Sequence, residues 1–189
     1  MFSHRLRNWV LLAALVLLII ALDQGTKWLV RQNLAVGEAW APIPALSKMF
    51  TITHVQNTGV AFGQLPGLGW LFMAVNLVVL VVVLVYYPRI SDGNWLLRLA
   101  LISILSGDLG NIIDRLRTAL NIAQDTGSVW TALPRASVTD FFDFRIWPVF
   151  NIADMCLVGG IITLAVILWR EDRARAVSDR VPVVKDRGD

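Results

Sequence analysis

Six aspartates lie within or just beyond long apolar stretches of this chain, where an ionisable side chain is costly. Asp154 lies near the start of an apolar run. Asn151 precedes it by three residues, so a helix would place both side chains on one face. A carboxylate in this position needs a partner, a water molecule or a proton. The other acids are Asp23, Asp108, Asp114, Asp140 and Asp143.

Asp140 is a candidate partner for Asp154, because it lies in the segment 137–143 just ahead of the last apolar run. Two carboxylates in a partly dry site cannot both ionise, so such a pair shares one proton. One carboxylate can then act as the general base for a water molecule while the other donates a hydrogen bond to a carbonyl group. This is the chemistry of aspartic proteases, and it needs no metal, thiol or serine.

Paired carboxylates near a membrane also have other uses. They form proton relays or cation sites in transporters, and they hold neighbouring helices together through structural hydrogen bonds. The spacing of the acids alone leaves peptide hydrolysis, transport and a structural role open.

Other hydrolytic chemistries have weaker support. His4 and His54 are the two histidines, and neither lies in an H-E-x-x-H zinc motif. The single cysteine, Cys156, allows neither an internal disulfide nor a cysteine-based zinc cluster. It lies in an apolar run, where a small buried side chain is its expected role. We therefore expect no metal ion and no cofactor.

The composition indicates an integral membrane protein. Hydrophobic residues make up 56% of the 189 residues, charged residues make up 16%, and the mean hydropathy is +0.62. Soluble domains have about 25% charged residues, so an ordinary soluble domain and a disordered chain are both disfavoured. The pI of about 9.5 does not indicate nucleic-acid binding, because the basic residues flank apolar runs as membrane topology requires.

Four apolar windows are long enough to span a bilayer, which needs about 20 residues as a helix. Tryptophans lie at or near the ends of these windows, as is typical of the membrane–water interface. The predicted fold class is an all-α integral membrane protein, with one domain over residues 1–170 and a charged tail over 171–189. The spans are expected at about residues 9–28, 68–87, 95–113 and 149–169.

An even number of spans places both termini on the same side of the membrane. Basic residues close to the span ends decide which side, and Arg5, Arg7, Arg89 and Arg98 lie in short segments on the side of the termini. Both termini are therefore expected in the cytoplasm. No A-x-A cleavage site follows the first apolar run, so we interpret it as a span and not as a signal peptide.

The two loops on the opposite side differ in character. The loop over residues 29–67 contains the β-branched segment 49–55, which predicts a strand, and a turn at residues 57–59. The loop over residues 116–147 contains Gly, Ser and Pro residues and is predicted to be irregular up to Ser137.

Several short segments carry distinctive patterns. Residues 23–27 fit D-x-x-[ST]-K, residues 57–62 fit N-x-G-x-x-F, and residues 110–115 fit G-N-x-x-D-R. Residues 138–141 fit V-x-D-F, and residues 150–154 fit F-N-x-A-D. In this order, the segments resemble the motifs of the lipoprotein signal peptidases, the bacterial membrane aspartic peptidases also called signal peptidase II. The likeness extends from about residue 9 to residue 169.

The resemblance implies that Asp140 and Asp154 are the catalytic pair. From their chemistry and spacing, several other polar residues of the motifs are expected to support the pair or bind the substrate, and two further residues are expected to be structural. The supporting set is Asn57, Asn111, Asp114, Arg115 and Asn151, and the structural set is Asp23 and Lys27.

Asn151 is expected to hold Asp154 in place, and Asn111 and Asp114 to orient Asp140 or the substrate backbone. Asp23 and Lys27 are four residues apart and are expected to pair on one helix face, either as a structural pair or in a supporting role near the site.

Two of the supporting residues have alternative explanations. Asn57 would bind the substrate main chain or simply form a turn. Arg115 would hold substrate carbonyl groups or a lipid phosphate, or would only extend its charge to the membrane surface.

The implied substrate is a bacterial prolipoprotein whose cysteine already carries diacylglyceryl, cleaved on the N-terminal side of that cysteine. The implied location is the inner membrane, with the active site at its outer face, in contact with membrane lipid. The implied inhibitor is globomycin. The family fold has four helices and a small extramembrane β-sheet cradle, which agrees with the strand predicted at residues 49–55. We expect a monomer.

Three features complicate the family pattern. Asp108 is an extra acid, for which a salt bridge to a basic residue is one explanation. The segment 117–136 lengthens the outer loop ahead of Asp140 and is interpreted as an insertion. Asp143 lies three residues after Asp140 and is an alternative partner for it, but Asp154 matches the family motif and lies on a span.

Overall fold

The computed structural model of the chain describes residues 2–58, 69–90 and 94–178. The part of the N-x-G-x-x-F segment from Gly59 onward lies outside these ranges, and so do residue 68 of the second predicted span and residues 179–189 of the tail.

Four long helices and one short helix are present in the described residues. The first, third and fifth are long and apolar enough to cross a membrane, over Leu6–Asn33, Trp95–Thr126 and Ile152–Ala176, whereas the second is a shorter apolar helix. Three of the four predicted spans therefore reach the required length there. The helices are α1 (Phe2–Asn33), α2 (Gly69–Tyr86), α3 (Trp95–Thr126), α4 (Val129–Ala132) and α5 (Ile152–Ser178).

Helix α3 is the centre of the helical part, because it contacts α1, α2, α4 and α5. Its inward face packs with α1 and α2 in a core that includes Leu101, Leu105 and Val83. The outward faces of α1 and α5 are apolar as well. Leu17 on α1 is 65% exposed, and Ile162 on α5 is 57% exposed. Apolar side chains on both sides of a helix are typical of a helix packed in lipid.

The segment 117–136 was predicted to be irregular, and this prediction is wrong. Helix α3 continues to Thr126, well past the expected end of the span at residue 113, and Gly127 ends it with a φ of 72°. Helix α4 and a 3₁₀ turn at Leu133–Arg135 follow. The prediction gave too much weight to the Gly, Ser and Pro residues and missed the apolar residues between them. Ala119 on α3 forms a buried cluster with Ala132 and Ala136 from the segment that follows Gly127.

The chain also forms a three-stranded antiparallel sheet from segments between the long helices. The strands are β1 (Ala39–Trp40), β2 (Thr51–Asn57) and β3 (Val138–Asp143), in the order β1-β2-β3. The strand predicted at residues 49–55 is therefore present, shifted by two residues. The register pairs Val55 with Asp140 and Asn57 with Val138. Because opposite residues share a face, Asn57 is a diagonal neighbour of Asp140.

Candidate active site

Helix α5 begins with a reciprocal cap that places Asp154 in its first turn. The Asn151 Oδ1 atom accepts a hydrogen bond from the Asp154 N–H group at 2.9 Å, and the Asp154 Oδ2 atom accepts one from the Asn151 N–H group at 3.2 Å. This is the geometry of a capping box, with an amide and a carboxylate in the two roles. Asp154 therefore lies in the first turn of α5, because the helix begins at Ile152, whereas the apolar window was taken to begin at residue 149.

Asn151 also reaches Asp140 on strand β3. Its Nδ2 atom donates to the Asp140 Oδ1 atom at 2.6 Å, and the Asn57 Nδ2 atom donates to the other oxygen at 2.8 Å. Asn151 and Asp140 are 0% and 1% exposed. One buried side chain therefore binds the Asp140 carboxylate and the backbone N–H group of Asp154.

Asn111, on α3, completes the contact with Asp154. Its Nδ2 atom donates to the Asp154 Oδ1 atom at 2.8 Å. Its Oδ1 atom accepts from the Lys27 Nζ atom at 3.2 Å and from the Asn151 Nδ2 atom at 3.3 Å. Asn111 therefore contacts the Asp154 carboxylate directly and is connected to Asp140, the partner expected from the sequence, through Asn151.

A buried ion-pair network supports this arrangement. The Lys27 Nζ atom lies 2.9 Å from the Asp23 Oδ2 atom and 3.0 Å from the Asp114 Oδ2 atom. The Asp23 Oδ1 atom accepts the N–H group of Ala153 at 2.9 Å. The Asp114 Oδ2 atom accepts the N–H group of Thr139 at 3.1 Å. The network thus joins α1 and α3 to the residues immediately ahead of both Asp154 and Asp140.

Burial, and then the charge of Asp154, raise the pKa of Asp140 to about 7. The hydrogen bonds from Asn57 and Asn151 and the charge of Lys27 act in the opposite direction and are outweighed. Asp140 therefore keeps its proton to a higher pH than a free aspartate, which suits a site that needs one carboxylate and one carboxylic acid.

Arg115 is buried within the protein, being 6% exposed. Its charge acts on Asp154, Asp140, Asp114 and Asp108. Asp108 is 1% exposed and forms no ion pair within the described residues, where its Oδ2 atom has no hydrogen-bond partner. The salt bridge considered for Asp108 is therefore not formed there, because no basic nitrogen approaches closely enough.

Asp143 faces a different set of partners. Its Oδ2 atom accepts from the Thr53 Oγ1 atom at 3.1 Å and lies 3.2 Å from the Arg145 Nη1 atom. Asp143 is therefore bound by the neighbouring strand and by Arg145. Asn151 connects Asp140 to Asp154 and not to Asp143. Across the described ranges, no group of three or more His, Cys, Asp and Glu side chains is arranged to hold a metal ion.

Sequence reasoning missed two residues of the site, Arg31 and Thr139. The Arg31 Nη1 atom lies 3.2 Å from both the Asp114 Oδ1 atom and the Thr139 Oγ1 atom. A signal for Arg31 was available, because it follows Lys27 by four residues and continues the helix face of Asp23 and Lys27. Thr139 had no such signal, since it gains its role from strand pairing.

The chain is similar to known proteins over most of its length. The family described as Signal peptidase (SPase) II matches residues 15–170. The lipoprotein signal peptidase of Halothermothrix orenii is 39% identical over 158 residues, covering 84% of this chain and 94% of that protein. The lipoprotein signal peptidase of Bacillus subtilis is 37% identical over 154 residues, covering 79% and 87%.

A solved bacterial membrane enzyme, determined by the in meso method at 2.3 Å resolution, has the same fold. It superposes with a TM-score of 0.69 at 25% identity, covering 85% of this chain and 88% of that one. A second bacterial membrane enzyme gives a TM-score of 0.65 at 27% identity, covering 83% and 91%. The extent of the family match and the identity to its members show that the chain belongs to the signal peptidase II family.

Proposed function

We propose that this protein is an aspartic endopeptidase that removes the signal peptide from diacylglyceryl-modified prolipoproteins, cleaving before the lipidated cysteine. The observation that carries the proposal is the position of Asn151, whose side chain binds Asp140 on β3 and the Asp154 N–H group on α5. Family membership and the names of the relatives support the same reaction.

The chemistry follows from one proton shared by Asp140 and Asp154. The ionised carboxylate takes a proton from a water molecule, and the resulting hydroxide adds to the carbonyl carbon of the scissile peptide. The protonated partner donates a hydrogen bond to the carbonyl oxygen, where negative charge develops. A proton then passes to the amide nitrogen, the C–N bond breaks, and the lipidated cysteine leaves with a free amino group.

The surrounding polar residues have separate roles in this proposal. Asn111 and Asn151 hold the two acids at a fixed distance, and Asn57 binds Asp140 from the neighbouring strand. Arg115 is a buried cation beside the pair and offsets its negative charge when a substrate carbonyl binds. Asp114 holds strand β3 through the Thr139 N–H group.

Asp23 and Lys27 are structural in this proposal. Their ion pair is fully buried, and Asp23 binds the N–H group of Ala153 at the start of α5. The pair therefore fixes the helix entrance that carries Asp154.

The membrane arrangement is also proposed. Helix α2, the second along the chain, is also a membrane span and brings the number of spans to four. Its 18 residues are strongly apolar, and Val78 is 63% exposed. Residues 1–170 form one domain in the bacterial inner membrane, with both termini and the tail over 171–189 in the cytoplasm. The sheet and the two acids then lie at the outer face, where a lipidated substrate enters sideways and leaves its acyl chains in membrane lipid. The protein acts as a monomer, and globomycin inhibits it.

The test is cleavage of a diacylglyceryl-modified prolipoprotein by purified enzyme. Asp140→Asn and Asp154→Asn are each expected to lower kcat by at least about 100-fold, because general acid–base catalysis contributes about 10²–10⁴-fold. Asp143→Asn is the matched control, since it removes a nearby acid on the same strand that binds within the sheet. Near-normal cleavage by both Asp140→Asn and Asp154→Asn would refute the proposal.

A further inference from the structure

Thr139 immediately precedes Asp140 on strand β3, and adjacent strand residues point to opposite faces of a sheet. Three groups hold Thr139. Its N–H group donates to the Asp114 Oδ2 atom at 3.1 Å, and its Oγ1 atom accepts from Arg31 at 3.2 Å and from Gln56 at 3.3 Å. The face of the strand behind Asp140 is therefore fixed by polar contacts.

A single nitrogen of Arg31 connects the helix to the strand. The Arg31 Nη1 atom approaches the Asp114 Oδ1 atom and the Thr139 Oγ1 atom, each at 3.2 Å. The Arg31 side chain is 15% exposed and Asp114 is 2% exposed, so the ion pair is largely shielded from water. Charge-assisted hydrogen bonds in such surroundings are stronger than neutral ones.

Thr139 is buried and paired with Gln56 across the strands, but a cavity borders it on one side. The cavity has a volume of about 310 Å³, and its walls include Gln56, Arg117 and Asn121. Because a cavity leaves side chains room to move, the hydrogen bonds to Thr139 add to strand pairing in defining its position. Thr139 is the second residue of β3, and Asp140 follows it directly.

We infer that Arg31 is a positioning residue that acts through Thr139 to set the place of Asp140 relative to Asp154. The inference rests on the proposed function. Asp154 is attached to α3 through Asn111, whereas strand β3 is attached through the Asp114 and Arg31 contacts with Thr139. The distance between the two acids therefore depends on both attachments, and a displacement of about 1 Å can cost about 100-fold in rate.

The test compares the purified wild-type enzyme with Arg31→Gln, Arg31→Lys and Thr139→Val on a diacylglyceryl-modified prolipoprotein. Arg31→Gln is expected to lower kcat by about 10- to 100-fold and to change KM by less than about threefold, because the substrate contacts remain while the acids shift. Arg31→Lys is expected to recover at least about a third of the wild-type kcat, since one nitrogen makes both contacts and an ammonium group can replace it.

Arg117→Gln is the matched control. Arg117 lines the same cavity and is exposed, and its substitution is expected to leave kcat within about twofold of the wild type. The double variant of Arg31→Gln and Thr139→Val is expected to lose no more than about threefold beyond the worse single variant, because both changes remove the same contact.

Equal kcat values for Arg31→Gln and Arg117→Gln would overturn the inference, and so would additive losses in the double variant. If Arg31→Gln does not yield folded enzyme, Thr139→Val decides the question, because it leaves the Arg31–Asp114 ion pair in place: a normal kcat refutes the inference, and a kcat about tenfold lower supports it. Failure of the proposed function is distinguishable, since the wild-type enzyme itself would then not cleave the substrate.

Discussion

Asn151 and Asp154 bind each other's backbone N–H groups at the entrance of α5, at 2.9 and 3.2 Å. The same Asn151 side chain donates to Asp140 at 2.6 Å. The residue that caps the helix is therefore also the residue that connects Asp140 to Asp154. Helix formation and assembly of the site depend on one side chain, and this dependence can be tested.

Replacing Asn151 with alanine is expected to lower kcat by more than about tenfold and to lower stability by about 1 kcal/mol. Asn94→Ala is the matched control, because Asn94 caps α3 through the Leu97 N–H group at 3.2 Å and lies away from the acids. It should show the same loss of stability with normal kcat. Melting temperature in detergent and steady-state kinetics measure the two quantities. An equal loss of kcat in both variants would reduce the role of Asn151 to capping.

The raised pKa of Asp140 makes stability depend on pH. The carboxyl has a pKa of about 7 in the folded state and about 3.9 when unfolded, so the folded state binds the proton more tightly. This contribution is fully present below about pH 4 and is lost as the pH rises through 7. At pH 8 the buried ionised form costs up to about 4 kcal/mol.

Asp140→Asn cannot ionise and is therefore expected to melt at a higher temperature than the wild type at pH 8, and at about the same temperature at pH 4. The variant would be more stable and nearly inactive, as expected where an acid is buried for function. Thermal unfolding at the two pH values measures the effect. A difference in melting temperature that is the same at pH 4 and pH 8 would contradict the pKa of Asp140 given above.

Gly110 is expected to tolerate no side chain. A Cβ atom at this position would lie 2.7 Å from the Asp23 Oδ2 atom and 3.0 Å from the Ala153 Cβ atom. Gly110→Ala should therefore displace the ion pair or the start of α5 and destabilise the protein by about 1–3 kcal/mol. Gly159→Ala is the control, because nothing lies within 4 Å of a Cβ atom there, and it should be neutral or more stable by up to about 1 kcal/mol. Equal melting temperatures for the two variants would show that the helices can separate at little cost.

Lys27 neutralises two buried acids, so Lys27→Met should destabilise the protein by about 3–5 kcal/mol by leaving Asp23 and Asp114 without their shared cation. Adding Asp23→Asn to Lys27→Met should restore part of this loss, because one uncompensated charge is removed. Lys48→Met, at an exposed position, should change stability by less than about 0.5 kcal/mol. Detergent melting curves measure all three variants. A greater loss of stability in the double variant than in Lys27→Met would show that Asp23 stabilises the protein even when Lys27 is absent.

Local patterns determined much of the site. The pairing of Asp23 with Lys27 and the cap between Asn151 and Asp154 each connect residues three or four positions apart, and such contacts follow from helix geometry alone. The strand at Thr51–Asn57 followed from its β-branched residues. The apolar windows likewise identified the long helices, although polar residues carry α3 on to Thr126, where hydropathy had no signal.

The sequence by itself therefore determined which residue types stand at each element and which of them are close along the chain. Only the tertiary structure decided that Asn111 binds Asp154, that Asn57 binds Asp140, and that Arg31 reaches Thr139. These partners lie 43, 83 and 108 positions apart, so their contacts depend on strand register and on the packing of α1 and α3. A change of one residue in register would turn the Asp140 side chain to the opposite face, and no local pattern encodes that choice.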